Sequence, residues 1–395
     1  MSTPRIVIAG GGLAAVRTAQ TLRGLGHSGE IVLLSAEREL PYDRPPLSKA
    51  FLAGELPEDG IRLIDQQTVQ EQKLTVELGA RVVALDRAAR RVTVQDGRQV
   101  AYDKLVIATG AEARTLPVFA ERDAVFSLRT ADDSRRLATY VREGRSLAVV
   151  GAGFIGLEVA ATARKSGCPV TVIEALDAPL LGAVGPDIAG WLQSRHAAEG
   201  VAFRCGVTVG SVSAAAAGVR LHLSDGSTVD ADAVVVGVGV VRQVGWLADA
   251  GLEVSGGLVC DTAGRTNDPD VFGAGDIVCH RTARGVEPVG HWTAAVNSAR
   301  RVAHAVLDLE VPEVPDDGFF WSDQYNLRLQ GAGRIEAAGE MVVVSGALAD
   351  DTFVAHFKTG DRITGVFASN SSREFLRHRM NFGKAQLAPA QGGAS

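Results

Sequence analysis

Gly10, Gly12 and Ala15, in RIVIAGGGLAAVRTAQTLRGLG, have the types and spacing to hold a pyrophosphate. Two glycines let a backbone turn sharply and come close to the phosphates, whose charge is met by free N–H groups and the positive end of a helix dipole. Alanine suffices at the third position, which mainly governs helix packing against the strand. The device recurs as Gly151, Gly153 and Gly156 in SLAVVGAGFIGLEVAATARKSGCPVTVIE. An acidic residue follows each turn at the end of the next strand, Glu37 and Glu174, where a carboxylate can bond ribose hydroxyls. A third stretch, PYDRPPLSK (41–49), sets Tyr42, Asp43, Arg44 and Lys49 around a proline pair. Taken alone it reads as a surface turn: proline makes Arg44-Pro45-Pro46 stiff and extended, and a short helix runs from Leu47 to Ala53, closed by Gly54.

Each glycine turn needs a strand before it and a helix after it. Ile6–Ile8 is a β-branched run that stops at glycine and passes into helical periodicity, and IVLLSAE supplies the next strand. Two such units this far apart are two nucleotide-binding domains rather than a solenoid repeat. Between them KLVIATG is a buried strand ending in Thr109-Gly110, and DVFGAGDIV gives another strand and turn ending in Asp276. The Asp276 carboxylate either accepts hydrogen bonds from a polyol chain, such as the ribitol of a flavin, or merely caps a turn.

With 395 residues, 46% hydrophobic content and 45 glycines, the chain suits two or three α/β domains rich in tight turns. No stretch approaches the about 20 apolar residues of a membrane span, and the first strand begins too early for a signal peptide, so the expectation is a soluble, cytoplasmic chain without membrane contact. A net charge of −6 argues against general affinity for nucleic acid. The four cysteines, Cys168, Cys205, Cys260 and Cys279, form no C-x-x-C pair, so thiol–disulfide exchange is not expected. Nor do the histidines and cysteines show the spacing of a metal site.

PYDRPPLSK, GAGFIGLEVAATA, the GAGD turn and FWSDQYNLRLQ together resemble the NADH-dependent ferredoxin reductases of bacterial oxygenase systems, over nearly the whole chain. The resemblance implies an α/β flavoprotein of the glutathione-reductase type, with two dinucleotide-binding domains and a smaller α+β C-terminal domain. Residues 1–110 and 242–314 would form a discontinuous FAD-binding domain, 111–241 an inserted NAD-binding domain, and 315–395 the C-terminal domain.

By position, Gly10, Gly12, Ala14, Ala15, Glu37, Arg44, Lys49, Val82, Thr109, Gly110, Arg129, Asp276, Trp292 and Trp321 would serve FAD. Ser322, Asp323 and Gln324 would reach the flavin beside Trp321. Gly151, Gly153, Gly156, Glu158, Glu174, Gly237 and Gly239 would serve NAD. Lys49 would pair with Glu158 where nicotinamide meets flavin, and its charge would stabilise the anion formed when hydride arrives. Two positions depart from the family pattern: Gly290 replaces a glutamate two places before Trp292, and Gln243 replaces an asparagine. Glu174, with no arginine in the ALDAPLLG that follows, favours NADH over NADPH.

The implied activity is electron transfer from NADH through FAD, one electron at a time, to an iron–sulfur ferredoxin that feeds an oxygenase. Rubredoxin reductase or NADH oxidase is the alternative within the class, and a flavin-bound, NADH-sensing interaction protein the alternative outside it. Arg300, Arg301, Arg373, Arg377, Arg379 and Lys384 form either a docking face for an acidic ferredoxin or an ordinary solvated surface.

Overall fold

A computed structural model describes residues 3–120, 122–216, 218–282, 285–314, 317–335 and 339–387, with side chains as far as Asn381. The chain divides into two compact units, Met1–Asp43 with Glu58–Glu112 and Val240–Asp316, and Arg44–Pro57 with Ala113–Gly239 and Asp317–Ser395.

The first unit is built on a five-stranded sheet ordered Val271–Gly273, Lys104–Ile107, Ile6–Ala9, Ile31–Leu34, Leu74–Glu77, all parallel. Ile6–Ala9 and Ile31–Leu34 are buried at every residue, as strands covered on both faces must be. The crossover helix Leu13–Gly24 packs against Trp292–Val306, which buries Ala295, Ser298, Ala299 and Val302 on one stripe. The unit also carries a small antiparallel sheet, Val82–Asp86, Arg91–Val94 and Gln99–Ala101.

The second unit repeats the plan with a parallel sheet ordered Val201–Cys205, Val170–Glu174, Leu147–Val150, Ala233–Val236, Val125–Phe126. Its crossover helix is Phe154–Lys165, and Leu181–Ala198 follows with a break at Gly185, where φ is +76° just before Pro186. The unit also carries a five-stranded antiparallel sheet ordered Phe320–Gln324, Leu327–Gly333, Arg362–Ser369, Thr352–Thr359, Glu340–Ala347, backed by the helix Ser372–Leu387. Two glycine-turn sheets plus this smaller α+β part are the architecture expected from the sequence.

The proline segment differs. In place of a helix over 47–53 there is a single 3-10 turn, Pro45–Ser48, with Lys49 at its end in a non-helical conformation (φ −128°, ψ −117°). The reason is competition for carbonyls: Ser134 Oγ donates to the Leu47 oxygen at 2.8 Å and Thr162 Oγ1 to the Ser48 oxygen at 2.8 Å. Those acceptors are therefore bound to side chains from distant helices.

Candidate functional site

In the first unit the glycine turn is shaped by close approach. A Cβ on Gly10, whose φ is +142°, would stand 2.1 Å from the Ala108 carbonyl oxygen, and one on Gly11 would stand 2.2 Å from Ser35 Oγ. A Cβ on Gly12 would meet nothing within 4 Å. Gly12 is the N-cap of Leu13–Gly24 and contributes no side-chain cap, so the first N–H groups of the helix face open space. Ala14 lies on that first turn, and a Cβ on Gly275 would come 2.8 Å from its methyl, which puts the Gly275–Ile277 turn bearing Asp276 beside the helix start. Ala15 is fully buried against the sheet.

Other expected residues lie in the same unit. Thr109 and Gly110 follow the strand next to Gly10, and Gly110 has φ +72°. Tyr42 hydroxyl donates to Glu37, and Trp292 Nε1 donates to Asp43 Oδ1 at 2.9 Å. The Asp43–Trp292 bond spans 249 positions and has no local sequence signal. Arg242 donates to the Asp276 carbonyl and, at 3.2 Å, to that of Val289, pinning the turn from behind. Val82 is buried in a hydrophobic cluster with Val94 and Val100. At Gly290 a Cβ would find open space, and the Gln243 amide donates to Glu112 Oε2 at 3.1 Å.

The second turn, in the other unit, uses the same physics. A Cβ on Gly151 (φ +98°) would stand 2.5 Å from the Gly237 oxygen, and one on Gly156 2.2 Å from the Gly151 oxygen. Gly153, the N-cap of Phe154–Lys165, has open space and no side-chain cap. Gly237 N donates to the Val150 oxygen at 2.8 Å, and Gly239, with φ +99°, turns the chain away. Glu174 Oε2 accepts from Ala152 N at 2.6 Å and Oε1 from Leu176 N at 2.9 Å, so the acid braces the glycine turn as well as ending its strand.

Lys49 and Glu158 meet in this unit. Lys49 Nζ lies 2.6 Å from Glu158 Oε2 and 2.9 Å from the Pro45 oxygen. Glu158 stands on the helix that begins at Gly153, and only 5% of it is exposed. A buried carboxylate at this level must be fully hydrogen-bonded. It is: Ser48 Oγ donates to Oε2 at 2.5 Å and Ser322 Oγ to Oε1 at 2.6 Å. Ser48 was missed in the sequence, although it adjoins Lys49. Arg44 donates to the Arg129 carbonyl, bringing those two expected residues together.

Strand geometry separates the WSDQ residues. In Phe320–Gln324 neighbours point to opposite faces, so Trp321 and Asp323 share one side and Ser322 and Gln324 the other. Trp321 stacks on Phe319 and Asp323 pairs with Arg328, whereas Gln324 is 1% exposed with its amide bonded to Ser322 and His196. The four side chains therefore divide between the two faces of the strand. The arginines are likewise mixed. Arg301 is 7% exposed and donates to the Val314 oxygen, since it turns about 100° from Arg300 toward the helix packing face. Arg379 is half-buried, paired with Asp317 and lying over Phe319. Arg373 is exposed, Arg377 pairs with Glu374, and the Lys384 side chain lies outside the described residues.

All four cysteines are free thiols. Burial pushes Cys168 up to about 11 and Cys260 to about 12, and raises Cys205 and Cys279. Among the described residues no group of three His, Cys, Asp or Glu is placed to hold a metal ion, and no helix is long and apolar enough to cross a membrane.

Residues 4–299 match the family described as pyridine nucleotide-disulphide oxidoreductase, and 319–392 match the reductase C-terminal family. The chain belongs to the pyridine nucleotide-disulphide oxidoreductase family. This oxidoreductase is 40% identical over 383 residues to the ferredoxin–NAD(+) reductase component of an anthranilate 1,2-dioxygenase system from Burkholderia cepacia, covering 95% of this chain and 93% of that one. It is 38% identical over 382 residues to rhodocoxin reductase of Rhodococcus erythropolis, covering 95% and 88%. The reductase in a covalent putidaredoxin reductase–putidaredoxin complex superposes with a TM-score of 0.92 at 30% identity, covering 97% of this chain and 94% of that one. Members of this family use FAD and a pyridine nucleotide, and this oxidoreductase does so too. Its two uncapped helix starts, each with open space at the middle glycine, fit two pyrophosphates.

Proposed function

We propose that the chain is a cytoplasmic, FAD-dependent reductase that takes electrons from NADH and delivers them singly to an iron–sulfur ferredoxin serving an oxygenase. The reading divides the chain into FAD-binding residues 1–110 and 242–314, NAD-binding residues 111–241 and a C-terminal domain from 315. FAD, when bound, supplies acceptance of a hydride and return of its electrons one at a time. The observation that carries the proposal is the Lys49–Glu158 pair, held at 2.6 Å on the helix that opens at the second glycine turn. Lys49 supplies the fixed positive charge that an electron-rich cofactor needs, and Glu158 holds its ammonium in one place. Ser48 and Ser322 complete the hydrogen bonding of the Glu158 carboxylate in its buried position. The cysteines, three of them buried and Cys205 half-buried, all have their thiols pushed up and offer no thiolate to carry electrons onward, so the acceptor takes them from the cofactor. Gly10, Gly12, Ala14 and Asp276 serve FAD in this reading, and Gly151, Gly153 and Glu174 serve NADH.

The purified protein, supplied with NADH, is tested against a panel of ferredoxins, rubredoxin and dioxygen. Fast turnover that requires a ferredoxin supports the proposal. Rapid oxygen consumption without any carrier would make it an oxidase, and slow reduction with no carrier turnover would make it an NADH-sensing protein.

A further inference from the structure

Behind Glu158 runs a chain of buried hydrogen bonds that ends far from Lys49. Ser322 Oγ, fully buried, meets Glu158 Oε1 at 2.6 Å and Gln324 Nε2 at 3.0 Å. Gln324 Oε1 meets His196 Nε2 at 2.7 Å, and His196 Nδ1 meets the Tyr325 hydroxyl at 3.1 Å. His196, on the helix Leu181–Ala198, has no exposed surface and stands edge-on to Phe203 and Tyr325. None of these groups belongs to a glycine turn or to the Lys49 pair.

The direction of every bond follows from the carboxylate. An ionised glutamate only accepts, so Ser322 must donate to it and must itself accept from the Gln324 NH2. That leaves the Gln324 oxygen facing His196, which must then present an N–H at Nε2 and a lone pair at Nδ1 toward the tyrosine hydroxyl. Reversing any one link would set two acceptors against each other in a dry interior. Burial holds the imidazole neutral, lowered to about 4, and raises the Tyr325 hydroxyl well above its usual value. The charged groups near the two ends are Lys49 on one side and Glu199 with Arg164 on the other, while Lys165 donates to the Tyr325 carbonyl.

We propose that His196 is a positioning residue for the Lys49–Glu158 pair: its Nε2–H fixes the Gln324 amide so that Ser322 has only Glu158 to donate to. The inference rests on the reading of Lys49 and Glu158 given above. Without that N–H the amide is free to turn its oxygen to Ser322, which then competes with Glu158 for the one hydroxyl hydrogen. The carboxylate then loses a bond and holds the Lys49 ammonium less firmly in place.

The test uses the FAD-loaded protein. Reduction by NADH is followed in stopped flow for the wild type, His196→Phe and His196→Gln, the last keeping an N–H toward Gln324. The rate of flavin reduction is expected to fall about tenfold in His196→Phe and to return to near the wild-type value in His196→Gln. A wild-type rate in His196→Phe, or equal losses in both variants, overturns the proposal, since either result leaves His196 a packing residue only. Nitrogen NMR of histidine-labelled wild type tests the chain without any variant or turnover. A neutral Nε2–H form at pH 7 is expected, and an Nδ1–H form overturns it. If NADH does not reduce the wild-type protein at all, the functional reading fails while the tautomer still decides the network.

Discussion

Ser322 donates to Glu158 across 2.6 Å from a strand 164 positions further along the chain. The bond fastens the C-terminal sheet to the helix that begins at the second glycine turn. It also completes the bonding of a buried carboxylate: three donors, from Ser48, Lys49 and Ser322, converge on Glu158.

Lys49→Met is expected to keep its FAD, because the glycine turn and its helix are untouched, and to be reduced by NADH roughly a hundredfold more slowly. Stopped-flow absorbance at the flavin band measures it. Reduction at the wild-type rate would return the charge of PYDRPPLSK to a surface turn.

Glu158→Gln acts on the same step, since the pair is one interaction. The loss in Lys49→Met/Glu158→Gln is expected to be smaller than the two single losses combined. Simple additivity of the logarithms of the rates would show that the two side chains act separately.

The two glycines of the first turn should part company. Gly10→Ala drives a Cβ against the Ala108 oxygen and is expected to destabilise the unit itself, whereas Gly12→Ala points into open space. Gly12→Ala should therefore fold, with unchanged circular dichroism, yet hold FAD roughly tenfold more weakly as its methyl intrudes where phosphate approaches. Wild-type FAD affinity in Gly12→Ala would remove the cradle from the first turn.

Glu174→Ala is expected to weaken NADH use and narrow its advantage over NADPH by about ten- to a hundredfold, the worth of a charge-assisted bond of about 1.5–3 kcal/mol. Because Glu174 also braces Ala152 and Leu176, KM should change more than kcat. An unaltered preference in steady-state kinetics would move the selection elsewhere.

His196 predicts a pH dependence of stability. Its value falls from 6.5 to about 4 on folding, so the unfolded chain binds more protons between those limits. The stability His196 contributes is then full above about 6.5 and lost as pH falls toward 4, on the order of 3 kcal/mol. Urea titrations at pH 7 and pH 5 should show less acid loss in His196→Gln than in the wild type. Equal losses would mean that the imidazole is protonated inside the fold.

What could be read from the sequence follows from how local each requirement is. Glycine turns announce themselves because a backbone that must pass close to another, as Gly10 does to Ala108 and Gly151 to Gly237, accepts no side chain. Lys49 and Glu158 were joined only through family resemblance, since nothing local ties positions so far apart. The helix expected over 47–53 failed because Ser134 and Thr162, unseen from there, take its carbonyls. Arg301 looked like surface charge until the helix turned it inward, and the chain from Ser322 to Tyr325 is a tertiary product with no motif of its own.

The 3-10 turn at Pro45–Ser48 has a consequence for biosynthesis. Its partners, Ser134, Glu158 and Thr162, leave the ribosome more than eighty residues after it, and Ser322 later still. At about 5–20 residues per second, Lys49 waits several seconds for Glu158 and longer for the serine that completes the carboxylate's bonding. A nascent chain can thus fold its first glycine turn early, but the ion pair acquires its full set of donors only once Ser322 has been synthesised. Premature termination anywhere before the strand Phe320–Gln324 yields a product in which Glu158 lacks the Ser322 hydroxyl.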